Sequence, residues 1–514
     1  MAYKTFAAID IGSYELSMKI YEISAKKGMK EIDSIRHRIE LGTDSYFSGK
    51  LSFDRVDELC RMLREFTTIM KGYKVEEYRA YGTSAIRETE NTLILLDQIQ
   101  MRTGIKIGIL SNSEQRFLDY KSVASKGGTF TDIIEEGTAI VDIGGGSIQI
   151  SLFDNDKLIT TQNMRPGVLR MREELSTIQY HSRHLEGMVT QLIDDQLQNF
   201  KRMFMEERRI KNVILVDDYV STILQKNSSK SGISGSIDAP AYFDFVSGLS
   251  SKTSQQIAQQ MGIPEENSSL LYMSALLVKR IVKMFDAKLI WAPGVSLCDG
   301  MAYEYAEVNR LIKSPHDFEE DILVCARNIN KRYMGNKITL ENREQYALNL
   351  FDSTRKFNGL GKRDRLLLHI ACILGDCGKY ISLSNVGESS YSIIMATEII
   401  GLSHAEREIV ANIVKYAYQP FEYYRNLQEK ESIDQESYLK IAKLTAIMRL
   451  ADGLESGGRK KCRSVKMTLH EEEMVIQVET AEDYALEYGL FEQRARFFEE
   501  VFSVKPYLKL KKVN

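Results

Sequence analysis

The chain has 514 residues and a mass of 58.7 kDa, about three times the usual domain size of roughly 100–200 residues, which excludes a single small module and predicts at least three domains. Its 68 Lys+Arg against 71 Asp+Glu leave a formal charge of −3, which excludes a protein that coats nucleic acid or anionic membrane over its whole surface, so any polyanion contact must be local. With 43% hydrophobic residues and 7 Pro, no signal-peptide pattern and no run of about 18 apolar residues, the composition predicts a globular, cytoplasmic protein without nucleic-acid or membrane partners.

In chain order, TFAAIDIGSYELSMKIYEI near the N-terminus alternates as two apolar runs about a Gly-Ser turn, the pattern of a β-hairpin with Asp10, Gly12 and Ser13 at its tip. An amphipathic helix is predicted over Asp54 to Tyr73, a strand over Tyr78 to Tyr81, and a further strand in IKIGILS. GTAIVDIGGGSIQISLFDNDKLI repeats the hairpin 132 positions later, Asp10 to Asp142, which reads as an internal duplication. A long helical stretch (Leu185 to Arg209), a strand in NVILVDD and helices to about Glu304 complete the second half. From about Ser314 helical spacing dominates, and the last sixty residues return to alternation around one helix. The expected domains are 1–127, 128–306, a helical domain at 307–455 and a small α+β cap at 456–514. The six cysteines, at 60, 298, 325, 372, 377 and 462, sit mostly in apolar stretches and read as reduced core residues.

An Asp followed by small residues at a hairpin tip offers a carboxylate, backbone N–H groups and a hydroxyl to a phosphate. Three successive glycines, Gly144, Gly145 and Gly146, have no packing use in a strand. Two such loops facing one another form a cleft in which Asp10 and Asp142 approach a common point, where hard oxygen ligands suit Mg²⁺.

These paired loops resemble those of the actin, heat-shock chaperone and sugar kinase superfamily. GTSAIRETEN (82–91), VDIGGGS (141–147) and RPGVLRM (165–171), with IELGTDSYFSGKLS and GVSLCDGMAYEYA, resemble the exopolyphosphatase/guanosine pentaphosphate phosphohydrolase (Ppx/GppA) family. The resemblance implies two actin-like (ribonuclease H-like) α/β domains, an all-α domain similar to HD phosphohydrolases, a small α+β domain and a homodimer. It implies Mg²⁺-dependent removal of a terminal phosphate from inorganic polyphosphate or guanosine pentaphosphate, with a glutamate as general base. Phosphate-binding roles fall on Gly12, Ser13, Thr83, Ser84, Arg87, Gly144, Gly145, Gly146 and Ser147, and metal-binding roles on Asp10, Asp142 and Gln149, Asp142 counting also as catalytic; Arg165 and Arg170 are expected along the same channel.

The departures from the family pattern bear on activity. The first loop runs DIGSYE, placing Tyr14 where a small polar residue is usual, with Glu15 after it. Gln149 replaces a glutamate near the metal. In ILSNSEQRFLDY an ungapped register puts Gln115 on the catalytic glutamate, whereas anchoring on Arg116 gives the place to Glu114, the expected base. An amide is no general base, so a hydrolase and a weakened sensor of polyphosphate or (p)ppGpp both stay open. Asp217 and Asp218 stand where a glycine pair is usual, setting negative charge against a nucleotide. In the helical domain Gly375 replaces the histidine before Asp376, and Ser389, Ser390 and Tyr391 fall where further histidines belong. Asp376 and Asp452 are thus expected to hold no catalytic metal, and His369 reads as a satisfied core histidine. The basic run 459–466 (Arg459, Lys460, Lys461, Arg463, Lys466) is a candidate track for a long polyanion.

Overall fold

A computed structural model describes residues 3–176, 184–205, 207–217, 219–226, 233–314, 316–428, 433–454, 461–470 and 473–512. The chain forms two compact units, Met1–Phe318 and Glu319–Asn514. In the first, strands β1 (Lys4–Ile11), β2 (Glu15–Ser24), β3 (Gly28–Arg38), β4 (Glu77–Gly82) and β5 (Gly108–Ile109) make a sheet of order β3-β2-β1-β4-β5. β1 and β2 are nearly wholly buried, as central strands are, with β2 carrying an apolar face (Leu16, Met18, Ile20) and a second face with buried Ser17, Lys19 and Tyr21. β3, at the edge, alternates between half-buried and exposed residues.

The second sheet contains β6 (Thr138–Ile143), β7 (Ile148–Asp154), β8 (Lys157–Met164), β9 (Asn212–Asp217), β10 (Ser236–Asp238) and β11 (Leu289–Trp291), ordered β10-β11-β9-β6-β7-β8. β8-β7-β6-β9-β11 repeats β3-β2-β1-β4-β5 in order. The pairings repeat too: antiparallel β1–β2 and β6–β7, then parallel β1–β4 and β6–β9. The duplication seen in the sequence is therefore one of topology, and β10 is an addition at the edge.

Four helices frame the hairpin tips or brace the first sheet: α1 (Leu41–Ser48), α2 (Asn112–Ala124), α3 (Val168–Ser176) and α4 (Leu297–Val308). α1 has no apolar periodicity and was legible only as part of a family motif. α4 follows the second sheet in sequence but packs Leu297, Cys298, Met301, Ala302 and Tyr305 against Phe6, Ala8 and Tyr21 of the first. It is tied there by buried Asp299, which accepts from Lys19 Nζ at 2.8 Å and Tyr21 Oη at 3.0 Å. Two expectations are adjusted: the IKIGILS strand shrinks to Gly108–Ile109, and the helix after Leu185 is regular only to Phe200, then continues as a π-turn over Lys201–Met205.

In the second unit, α5 (Lys337–Ser353), α6 (Lys362–Leu374) and α7 (Gln435–Gly453) belong to a helical region. After it, β12 (Cys462–His470), β13 (Glu473–Thr480) and β14 (Lys505–Lys512) form a sheet in which α8 (Ala485–Phe502) is the crossover between parallel β13 and β14. All six cysteines are buried and free; burial pushes the Cys377 thiol up to about 11. Among the described residues no helix is long and apolar enough to cross a membrane.

Candidate active site

The two hairpin tips close in the same way. Gly12 N–H donates to the Glu15 carbonyl at 2.9 Å and Gly144 N–H to the Ser147 carbonyl at 3.0 Å, each pair 132 positions apart. Cross-strand partners repeat at that offset: Asp10 faces Ser17, and Asp142 faces Gln149. Directly opposed residues of an antiparallel pair project from one face, so Asp142 and Gln149 point the same way.

Between the tips lies a cavity of about 100 Å³. Its wall contains Asp10, Gly12, Ser13, Thr83, Ser84, Asp142, Gly144, Gly145, Gly146, Ser147 and Gln149, eleven of the thirteen residues expected to bind phosphate or metal or to act in catalysis; Arg165 and Arg170, expected along the same channel, are not part of that wall. The remaining two of the thirteen lie elsewhere. Arg87 Nη1 donates to the Leu110 carbonyl at 2.6 Å, and burial lowers its guanidinium pKa.

Glu114, the residue expected as the base, is the other, and it does not line the cavity. Its Oε2 accepts from Ser111 N at 2.9 Å and Ser111 Oγ at 2.7 Å, while Glu114 N–H donates back to Ser111 Oγ, a capping box at the start of α2. A carboxylate at the third position of a helix is drawn back to the orphan N–H groups of the first turn. Gln115, one residue on, faces the cavity, with Oε1 buried and without a hydrogen-bond partner among the described residues.

Sequence reasoning missed Asp119, which lines the same wall and is 5% exposed. It sits four residues after Gln115 on α2, so helical spacing was the signal that could have found it. Arg36 was missed as well and is the one cation in the described wall, against five carboxylates: Asp10, Glu15, Asp119, Asp142 and Asp217. Asp217 does not turn its charge loose on the cavity. Its oxygens accept from Ser221 N at 2.7 Å and Ser274 Oγ at 2.6 Å; Asp218 lies outside the described residues. Tyr14 lines the cavity but sends its hydroxyl to Asn267 Oδ1 at 2.6 Å.

The glycines are required by close approach. A Cβ on Gly167 would overlap backbone atoms of Gly144, Gly145 and Ser147, because the start of α3 rests on that loop through Val168 N–H to Gly144 O (3.1 Å) and Leu169 N–H to Gly145 O (3.0 Å). A Cβ on Gly146 would overlap Ser84 Oγ and Tyr46 Oη.

Asp10, Asp142 and Gln149 fit a hard divalent cation. Two carboxylates and an amide oxygen line one cavity, and buried Gln149 Oε1 has no hydrogen-bond partner among the described residues. Hard oxygen donors of this kind are those Mg²⁺ takes, with water completing its shell, although among the described residues no three His, Cys, Asp or Glu cluster as a metal site of their own.

In the second unit, Asp376 and Asp452 hold an arginine. Arg343 of α5 donates from Nε to Asp452 Oδ1 at 2.7 Å and from Nη2 to Asp376 Oδ1 at 3.0 Å; Tyr418 and Lys379 also bond Asp376. Burial opposes the charge on Asp376, but Arg343 outweighs it and holds the carboxyl below its ordinary value. A Cβ on Gly375 would collide with the Arg343 guanidinium, so the space for a histidine there is taken. His369 bonds Glu344 Oε1 at 2.6 Å, satisfied as expected. The basic run is not a free track throughout: Lys461 is paired with fully buried Glu487 at 2.8 Å, and Arg459 and Lys460 lie outside the described residues.

The model of the Ppx/GppA phosphatase family matches residues 19–308, and that of Ppx/GppA phosphatase domain III matches residues 325–494. Guanosine-5'-triphosphate,3'-diphosphate pyrophosphatase of Aliivibrio fischeri is 20% identical over 473 residues, 86% of each chain. Exopolyphosphatase 1 of Mycobacterium bovis is 25% identical over 143 residues, 28% of this chain and 40% of that protein. Across the first curated relatives the chain spans 26% to 55% of their length. The crystal structure of an exopolyphosphatase from Cytophaga hutchinsonii superposes with a TM-score of 0.52 at 18% identity, covering 60% of this chain and 99% of that one, a likeness of fold.

Proposed function

The chain belongs to the Ppx/GppA phosphatase family, and on that premise we propose that its cleft binds the terminal phosphates of a phosphoanhydride, inorganic polyphosphate or guanosine pentaphosphate, as a sensor rather than a rapid hydrolase. The observation that carries this reading is Gln115 at the cavity wall, with Glu114 folded back into its capping box. An amide takes no proton from water. Backbone N–H groups of Gly145 and Gly146 with the hydroxyls of Ser13, Thr83, Ser84 and Ser147 suit phosphate oxygens. Asp10, Asp119 and Asp142 would repel such a ligand, so binding requires a cation; Asp10, Asp142 and Gln149 would hold Mg²⁺, which when bound neutralises charge on the phosphates.

Asp119 favours a second reading, hydrolysis. One helical turn from Gln115 and on the same cavity, its carboxylate could accept the proton of an attacking water as the terminal P–O anhydride bond breaks. Calorimetry with inorganic tripolyphosphate and Mg²⁺, run beside a phosphate-release assay, separates the two. We expect Mg²⁺-dependent binding without release, with release appearing in Gln115→Glu. Release by the native protein that Asp119→Asn abolishes would replace the sensor by the hydrolase, and absence of binding would defeat both.

A further inference from the structure

Three residues assigned to phosphate meet at one atom, and that atom belongs to the chain itself. Tyr46 Oη lies 2.6 Å from Ser13 Oγ and donates to Ser84 Oγ at 2.8 Å, and it stands where a Cβ on Gly146 would go. Donors from both sides converge on Glu88: Ser84 Oγ donates to its Oε1 at 3.0 Å, and Arg170 Nη2 donates to its Oε2 at 2.7 Å. The Arg170 guanidinium also lies 4.3 Å above the Tyr46 ring. Burial raises the phenol pKa, so the group stays neutral. Tyr46 and Glu88 come from the first half of the α/β unit, Gly146 and Arg170 from the second.

We propose that Tyr46 is a built-in occupant of the phosphate position: its hydroxyl stands in for one phosphate oxygen between the two loops, and Glu88 stands in for the next on Arg170. A ligand binds there by displacing both, which a neutral or singly charged group does poorly and a multiply charged phosphoanhydride does well, since only the latter gives Arg170 a stronger partner than Glu88 and the Tyr46 ring together. Tyr46 thereby sets specificity for highly charged phosphate chains over monophosphates. This rests on the phosphate-site reading of the cleft.

The test is the affinity of inorganic tripolyphosphate and of orthophosphate, each with Mg²⁺, for the native protein, Tyr46→Phe and Tyr46→Ala. Tyr46→Phe keeps the ring under Arg170 and removes only the competing hydroxyl. We expect it to bind tripolyphosphate at least about fivefold tighter and orthophosphate tighter by a larger factor, narrowing the discrimination; Tyr46→Ala should narrow it further. Hydrogen exchange of residues 41–48 should rise when tripolyphosphate binds the native protein, as α1 loses its anchor. Weaker binding by Tyr46→Phe would make the hydroxyl a ligand and overturn the proposal, as would unchanged affinities. No binding by any of the three proteins would defeat the phosphate-site reading itself.

Discussion

The narrowest tolerances of the cleft are at single atoms. Gly167 has backbone atoms on three sides of its missing Cβ, and backbone cannot swing aside as a side chain can. Gly167→Ala should therefore destabilise the protein by about 1–3 kcal/mol, the usual range for overpacking, and lift α3 off the second loop. Gly187, in the helix Leu185–Phe200 with nothing near its missing Cβ, is the control: alanine there should raise stability by about 0.5–1 kcal/mol. Urea unfolding of both variants measures this, and equal shifts would mean that the loop is not held as tightly as its contacts indicate. The same scale separates Glu114 from Gln115. Positions 114 and 115 differ by one residue, about 100° around a helix, and that rotation assigns one side chain to a cap and the other to the cavity.

Elements set the charge economy of the second unit. Arg343 on α5 reaches Asp376 just after α6 and Asp452 on α7, so one guanidinium joins three segments. Its side chain and that of Asp376 are 5% and 7% exposed, where removing one partner leaves a charge with little solvent. Arg343→Leu should cost about 3–5 kcal/mol, and adding Asp376→Asn and Asp452→Asn should recover a large share, because the neutral amides no longer need the guanidinium. Denaturant midpoints of the single and triple variants check this; a single variant as stable as the native protein would show that the ion network contributes nothing. The motif segments around Asp376 and Asp452 were legible in the sequence, whereas Arg343 was not, since nothing in its own helix marks it as their partner.

For the whole molecule, acid is the informative stress. Burial opposes the charges of Asp299 and Asp376, but Lys19 and Arg343 respectively outweigh it, and both carboxyls are held below their ordinary value. A depressed native pKa supplies stability that is complete above the unfolded value, about 3.9, and is lost as pH falls through the native one. Melting temperature should therefore hold near neutrality and drop below about pH 4. The gap between native protein and Asp299→Asn should be widest at pH 7 and shrink toward pH 3; a gap independent of pH would remove Asp299 from the account. The sequence by itself determined the duplication and the succession from α/β to helical to α+β, because alternation, glycine runs and a fixed offset are signals written along the chain, whereas the eleven wall residues came mostly from the family resemblance of its motifs. Only tertiary structure decided that Gln115 faces the cavity, that α4 returns to the first sheet, that Arg343 fills the space between two aspartates, and that Tyr46 reaches the two hairpin tips. Each of those depends on a contact between residues tens to hundreds of positions apart, or on a helix's rotation about its axis, and neither is encoded in the spacing of neighbours.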